Sequence, residues 1–190
     1  MKLILCDTNE RLCAAWKKRF AGEPDVEVIH SRFEDVAEYD AIVSPGNSFG
    51  LMDGGIDAAI IDYFGYELMQ RVQAEIMAQY CGEQPVGTCL LARIDHARHS
   101  VLAHTPTMRI PQNILGTDNV YNAMRAMLIA VKRSADIKTV LCPGLGTCTG
   151  CMPEELAAAH MYMAWRNVMD PRPISWKNAV DIEIELRGAP

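Results

Sequence analysis

The sequence predicts an α/β protein: a three-layer α/β/α sandwich around a mixed, mostly parallel sheet. Three observations predict it. Short apolar runs alternate with amphipathic helical patterns along most of the chain. Two of those runs, Ala41-Ile42-Val43 and Thr139-Val140-Leu141, stop in glycine-rich turns that lead into helix starts, as parallel strands joined by helices do. Finally, 190 residues at 49% hydrophobic and 22% charged can bury a sizeable core without splitting into domains.

The elements follow in order. Residues 2–6 read as a strand. Asp7-Thr8-Asn9 caps a helix over 10–20, in which Leu12, Trp16 and Phe20 recur at helical spacing. Residues 22–25 turn at Pro24, and 26–30 alternate and are β-branched, as in a strand. Residues 40–44 form a third strand, followed by helices over 57–63 and 66–80. Val86, Thr88, Leu90 and Ala92 alternate with Cys89 and Leu91, which gives a strand over 87–93; another runs over 100–104. An amphipathic helix over 119–134 takes Thr117 or Asp118 as its cap. A strand over 138–142 and a helix over 153–168 complete the alternation. The tail from 170 holds three prolines, and its residues 181–186 read as a late strand. No internal repeat or low-complexity tract interrupts this order.

Composition narrows the function classes. A net charge of −6 without a basic run argues against a nucleic-acid backbone partner. The longest apolar stretches fall far short of a membrane span. The chain begins like a strand, and Asp7 and Asn9 interrupt any signal-peptide core, so a cytoplasmic location is expected. Seven cysteines, an odd number, do not suggest a disulfide framework. Cys148 and Cys151 are spaced like two zinc ligands, with Cys142 nearby. A closed site needs four ligands, and His160 is the nearest addition, so no metal is expected; no cofactor is expected either.

The chemistry concentrates in two loops. After Ala41-Ile42-Val43 come Ser44, Pro45, Gly46, Asn47 and Ser48, where no regular element continues. Gly54 and Gly55 follow, then Ile56-Asp57-Ala58-Ala59-Ile60 as the first turn of a helix. Unpaired N–H groups at a helix start bind anions, and glycine lets a ligand approach them. Asn47 can donate and accept, as a ribose requires, although its side chain can equally satisfy the turn itself. The second loop reads Gly144, Leu145, Gly146, Thr147, Cys148, Thr149, Gly150, with Pro153 and Glu154-Glu155 suited to the helix start behind it. Two such loops at strand ends can close on one ligand from opposite sides.

These residues resemble the macro domain family, a module that binds ADP-ribose. Asp40-Ala41-Ile42-Val43 matches the family strand, Asn47 falls on the second asparagine of its turn, and Gly54-Gly55-Ile56-Asp57 matches the end of its glycine run. Pro143 through Pro153 matches the second phosphate loop, and Val101-Leu102-Ala103-His104-Thr105-Pro106 resembles the central strand. The resemblance covers roughly residues 26–169; an N-terminal strand-helix extension over 1–25 lies ahead of that core and a tail over 170–190 behind it, and with no linker to divide them the whole of 1–190 is read as a single domain. Departures are Ser44 in place of the first asparagine, and Met52 and Asp53 where glycines usually sit. No residue aligns with the family's adenine-binding aspartate; Glu34 or Asp35 stands nearby, and Phe33 can stack on the base.

The resemblance implies a nucleotide ligand, ADP-ribose or an ADP-ribosylated protein, held by both loops together with Phe33 and Thr105. It implies catalytic roles for Asn47 and Asp57 if the protein hydrolyses ADP-ribosyl linkages. Three activities stay open: such a hydrolase, a reader without turnover, and a sensor or sponge of another NAD-derived signal. The segment Thr105-Pro106-Thr107-Met108-Arg109-Ile110-Pro111 is expected on the binding face, where Arg109 meets a phosphate or pairs with an acid. A dinucleotide oxidoreductase is rejected, because the first strand runs into Asp7-Thr8-Asn9-Glu10 without a glycine; no P-loop lysine motif occurs.

Overall fold

A computed structural model describes residues 1–188. Ala189 and Pro190, the end of the predicted tail, lie outside the described residues. The order is β1 (Lys2–Asp7), α1 (Glu10–Arg19), β2 (Val26–His30), β3 (Ala41–Ser44), α2 (Gly55–Phe64), α3 (Glu67–Tyr80), β4 (Leu90–Arg93), β5 (Val101–His104), α4 (Asn119–Arg133), β6 (Thr139–Cys142), α5 (Glu154–Met169) and α6 (Trp176–Arg187). A short 3-10 turn, Phe33–Asp35, follows β2.

The six strands form one sheet in the order β2-β1-β6-β3-β5-β4. Every neighbouring pair is parallel except β4 with β5, which pairs Leu90 with His104 and Arg93 with Val101. Successive side chains leave a strand on opposite faces, so one strand feeds two cores. Leu3, Leu5, Val43 and Val140 pack against Leu12 and Trp16 of α1, Met124 and Leu128 of α4, and Met161 and Trp165 of α5. Ile4, Ile42, Leu102 and Leu141 pack on the other face against Ile60 of α2 and Leu68, Val72 and Ile76 of α3. The result is the expected α/β/α sandwich. The N-terminal strand is an interior strand of the sheet, between β2 and β6.

Two local departures have physical causes. The strand expected over 87–93 begins only at Leu90, because Gly87 turns at φ +87 and both the N–H and the hydroxyl of Thr88 donate to the Pro85 carbonyl. As expected, Asp118 is the N-cap of α4, although its side chain makes no cap bond among the described residues and the Thr117 hydroxyl accepts from Asn119 N at 3.4 Å instead. The late strand expected over 181–186 is helix. Ser175 caps α6 by accepting from Asn178 N at 3.1 Å, and Lys177 with Asp181 and Glu183 with Arg187 pair along it. The alternation of Ile182, Ile184 and Leu186 is therefore not a strand face: Leu186 enters the core while Ile184 is exposed.

Because β1, β3, β5 and β6 are parallel, the segments leaving them gather at one end of the sheet, where α/β proteins place ligands. No helix among the described residues is long and apolar enough to cross a membrane.

Candidate functional site

The first loop leaves β3 at Ser44 and is tied to the segment after β5. Thr107 N donates to Gly46 O, the Thr107 hydroxyl donates to Pro45 O at 2.9 Å, and Ser48 N reaches Met108 O. The Asn47 amide folds back into its own loop. Its Oδ1 accepts from Phe49 N and Leu51 N, and its Nδ2 donates to Leu51 O at 2.8 Å, leaving one amide hydrogen for a ligand. The loop ends at Gly54, the N-cap of α2, which offers no side-chain bond. The first bond of α2 is Ala58 N to Gly54 O, so the N–H groups of Gly55, Ile56 and Asp57 precede it.

The second loop is braced from outside. Asp7 accepts from Gly144 N at 3.0 Å and, through its other oxygen, from Asn9 N at 2.9 Å. Met152 N donates to Gly146 O, and Ile114 N donates to Gly150 O. The N–H groups of Thr147, Cys148, Thr149 and Gly150 make no hydrogen bond among the described residues. Glycine is needed at position 150, where an added Cβ would lie 2.5 Å from Gly146 O.

Two adjoining cavities lie between the loops. The smaller, about 120 Å³, lies between Pro45–Asn47 with Gly54–Asp57 on one side and Gly146–Gly150 on the other, with Thr107, Met108 and Pro111 beside them. The larger, about 570 Å³, is lined by Asp7–Asn9, Ser31–Glu34, Ala59 and Pro143. Gly55, Ile56, Gly144, Thr147 and Cys148 wall both. Among the described residues the one cation on either wall is Arg32, and it is paired with Glu34 at 2.5 Å. Anion binding here therefore falls to backbone N–H groups and helix ends.

Beneath the smaller cavity lies a buried polar cluster. Asp57 is 6% exposed, and the Ser44 hydroxyl donates to its Oδ1 at 2.7 Å. Burial pushes the Asp57 carboxyl up to about 6, against the lowering effect of the Ser44 bond. Gln84 Nε2 donates to His104 O, so its Oε1 faces the ring and His104 Nδ1 carries the hydrogen of their 2.7 Å bond. His104 Nε2 is left a buried acceptor without a partner among the described residues. Complete burial holds this imidazole neutral, with its pKa lowered to about 4. A Cβ on Gly46 would lie 2.8 Å from Asp57 Oδ2 and 2.9 Å from His104 Nε2, so the glycine hydrogens fill the gap between the two.

The residues singled out in the sequence separate into two groups. Pro45, Gly46, Asn47, Gly54, Gly55, Ile56, Asp57, Gly144, Gly146, Thr147, Cys148, Thr149 and Gly150 line the smaller cavity, and Phe33 lines the larger. Phe33 is 3% exposed, set edge-on to Tyr63 and stacked on Phe64. Ser44, Leu145 and Thr105 stand off both walls. Ser44 lies beneath Asp57; Leu145 turns into the core between its two glycines; the Thr105 hydroxyl is shared by the carbonyls of Thr88 and Ala123. Arg109 is bound by Glu83 at 2.6 and 3.0 Å and lies over Phe49, away from both cavities. Among the described residues no three histidine, cysteine or acidic side chains gather as a metal site. Missed in the sequence were Leu51, Cys6, Thr8, Asn9, Ser31, Arg32 and Ala59 on the walls, and the bracing by Asp7. The turn after β1 carried one usable signal, a polar Asp-Thr-Asn at the end of a strand, but only the β1–β6 pairing brings it to the second loop.

The family model of the Macro domain matches residues 43–161. An uncharacterized protein of Aquifex aeolicus is 32% identical over 162 residues, 85% of this chain and 93% of that protein. The chain belongs to the Macro domain family. Among solved structures, the macrodomain of Mycobacterium tuberculosis DarG superposes with a TM-score of 0.62 at 16% identity, over 74% of this chain and 89% of that one. The Oceanobacillus iheyensis macrodomain with ADP gives 0.61 at 20% identity, over 80% and 86%, and a variant of it with ADPR gives 0.61 at 19%, over 80% and 88%. At these identities the likeness is one of fold.

Proposed function

We propose that this protein binds ADP-ribose, free or attached to a protein, in the cleft formed by the two cavities. The carrying observation is the shared wall of Gly55, Ile56, Gly144, Thr147 and Cys148. It makes one elongated cleft with wide space at one end, free backbone donors in the middle and a narrow acidic end. A dinucleotide-like ligand has matching parts. The adenosine occupies the larger cavity beside Phe33, the diphosphate lies across the start of α2 and residues 146–150, and the distal ribose meets Asn47 and Asp57. Family membership and the ADP and ADPR of the Oceanobacillus structures support this reading. Calorimetric titration of the purified protein with ADP-ribose, with AMP and NAD as controls, tests it. Micromolar binding of ADP-ribose and much weaker binding of AMP are expected; equal affinities would remove the role of the second loop.

A hydrolytic reading is favoured by Asp57 itself. A carboxyl raised to about 6 on a cavity wall is matched to proton transfer near neutrality. In this reading Asp57 orients or activates a water at the distal ribose, and Asn47 positions the sugar. Asp57→Asn should then keep ADP-ribose binding and abolish release of ADP-ribose from modified acidic side chains. If the unaltered protein binds and releases nothing, the protein is a reader.

A further inference from the structure

Three of the seven cysteines are exposed, and two of these, Cys148 and Cys151, share the second loop. Cys151 N donates to Cys148 O at 3.0 Å, which closes a turn around Thr149 and Gly150. Such a turn brings its first and last Cα atoms within about 7 Å. Disulfides span Cα separations of roughly 4.4–6.8 Å, so the turn brings the two Cα atoms near that range, and closing the bond requires the Cys151 thiol to leave Thr149 O and turn toward Cys148. The two sulfurs have different surroundings. Cys148 walls both cavities, whereas Cys151 walls neither. Cys151 sits at φ +53, a left-handed conformation in which a side chain other than glycine or asparagine is unusual, and its thiol donates back to Thr149 O at 3.6 Å. The other cysteines offer no such pairing: Cys6, Cys13 and Cys142 are buried, Cys89 is half-buried, and Cys81 is exposed at the end of α3.

We propose that Cys148 and Cys151 form a thiol–disulfide exchange pair on the wall of the ligand cleft, with a low-molecular-weight disulfide as co-reactant. The thiolate of Cys148, the sulfur reached from the cleft, attacks one sulfur of RSSR, expels RS⁻ and forms a mixed disulfide. The thiolate of Cys151 attacks the Cys148 sulfur, expels the second RS⁻ and closes the Cys148–Cys151 bond. The two protons lost by the cysteines are taken up by the two RS⁻, so the protein dithiol is oxidised and the small disulfide reduced to two thiols. The link to ligand rests on the nucleotide-binding reading above: a nucleotide across the junction covers Cys148, and a group attached to Cys148 excludes the nucleotide by the same coupling.

The test treats the reduced protein, with Cys81→Ser as background, with glutathione disulfide, and follows intact mass and peptide maps with and without ADP-ribose. The expected product has lost two hydrogens and maps to a Cys148–Cys151 link. Cys151→Ser should stop at a glutathione adduct on Cys148, and Cys148→Ser should form no internal link. ADP-ribose at ten times its Kd should slow the reaction about tenfold, because about one molecule in eleven then has a free cleft. An unlinked or unreacted product from the protein with both cysteines overturns the proposal. So does a rate unchanged by ADP-ribose on a sample that calorimetry shows to be saturated. If calorimetry detects no ADP-ribose binding, the nucleotide reading has failed, and the mapped link still decides whether the exchange pair exists.

Discussion

The Ser44 hydroxyl donates to Asp57 Oδ1 at 2.7 Å, joining the last residue of β3 to the first turn of α2 beneath the smaller cavity. The Ser44 hydroxyl is thereby spent on the carboxyl rather than on the cleft. Ser44→Ala removes the donor and leaves a buried carboxyl oxygen unsatisfied, at a cost of about 1–3 kcal/mol. It also removes a bond that lowers the Asp57 pKa, so the carboxyl should titrate above its value of about 6. Denaturant midpoints and an NMR titration of Asp57 check both effects. An unchanged titration would show that the bond does not act on the carboxyl.

Asp57 and His104 give stability opposite slopes with pH. The folded state holds the Asp57 proton up to about 6, while an unfolded aspartate releases it near its ordinary value of 3.8. Between those values the folded state binds more protons, so this group makes stability fall as pH rises, to a penalty of about 3 kcal/mol at neutrality. His104 stays neutral down to about 4, against an ordinary value of 6.5. Here the unfolded state binds more protons, so stability falls as pH drops through that window. Asp57→Asn removes the first slope only. The variant should exceed the unaltered protein by about 3 kcal/mol near neutrality, and the gain should shrink below pH 6. Urea midpoints at pH 5 and 7.5 measure it, and an equal gain at both would contradict a raised Asp57 pKa.

Gly46 and Gly54 both line the smaller cavity but should respond differently to one methyl group. A Cβ on Gly46 meets Asp57 Oδ2 and His104 Nε2 inside 3 Å, both on buried side chains, whereas a Cβ on Gly54 meets nothing within 4 Å. Gly46→Ala should cost about 1–3 kcal/mol by overpacking. Gly54→Ala meets no clash and should lose only the N-cap's preference for glycine over alanine, at most about 1 kcal/mol, and any larger loss of ligand affinity in it belongs to the cleft. Thermal melts of the two variants side by side decide the matter.

The fold was legible because its signal is local. Apolar runs ending in turns locate β1, β3 and β6, and the glycine run locates the start of α2. What stayed hidden depends on more than the local pattern. Six residues of period-2 alternation near the end of the chain describe a strand as well as one half-buried helix, and only the Ser175 cap and two i,i+4 ion pairs decide for α6. Leu145 lies among wall residues in sequence, yet its direction is set by the turn, which sends it to the core between Gly144 and Gly146. The strand order is non-local altogether. Nothing in Asp7-Thr8-Asn9 announces that β1 pairs with β6 and delivers this turn to a loop 137 residues away.

That delivery gives Asp7 a part in the cleft which its sequence neighbourhood does not suggest. One oxygen holds Gly144 N at the base of the second loop and the other holds Asn9 N, while Asn9 Nδ2 reaches Glu154 at the start of α5. The β1–α1 turn and the second loop are thereby fixed to each other on the larger cavity wall. Asp7→Ala frees Gly144 and leaves two N–H groups without their acceptor, at a cost of about 1–2 kcal/mol in stability. The free N–H groups of 147–150 then lose their fixed positions, and ADP-ribose affinity should fall about tenfold, equivalent to about 1.4 kcal/mol. Asp7→Asn keeps one acceptor oxygen and should lie between the two. Calorimetry on the three proteins orders them, and an Ala variant that binds as tightly as the parent would show that the second loop holds its shape without Asp7.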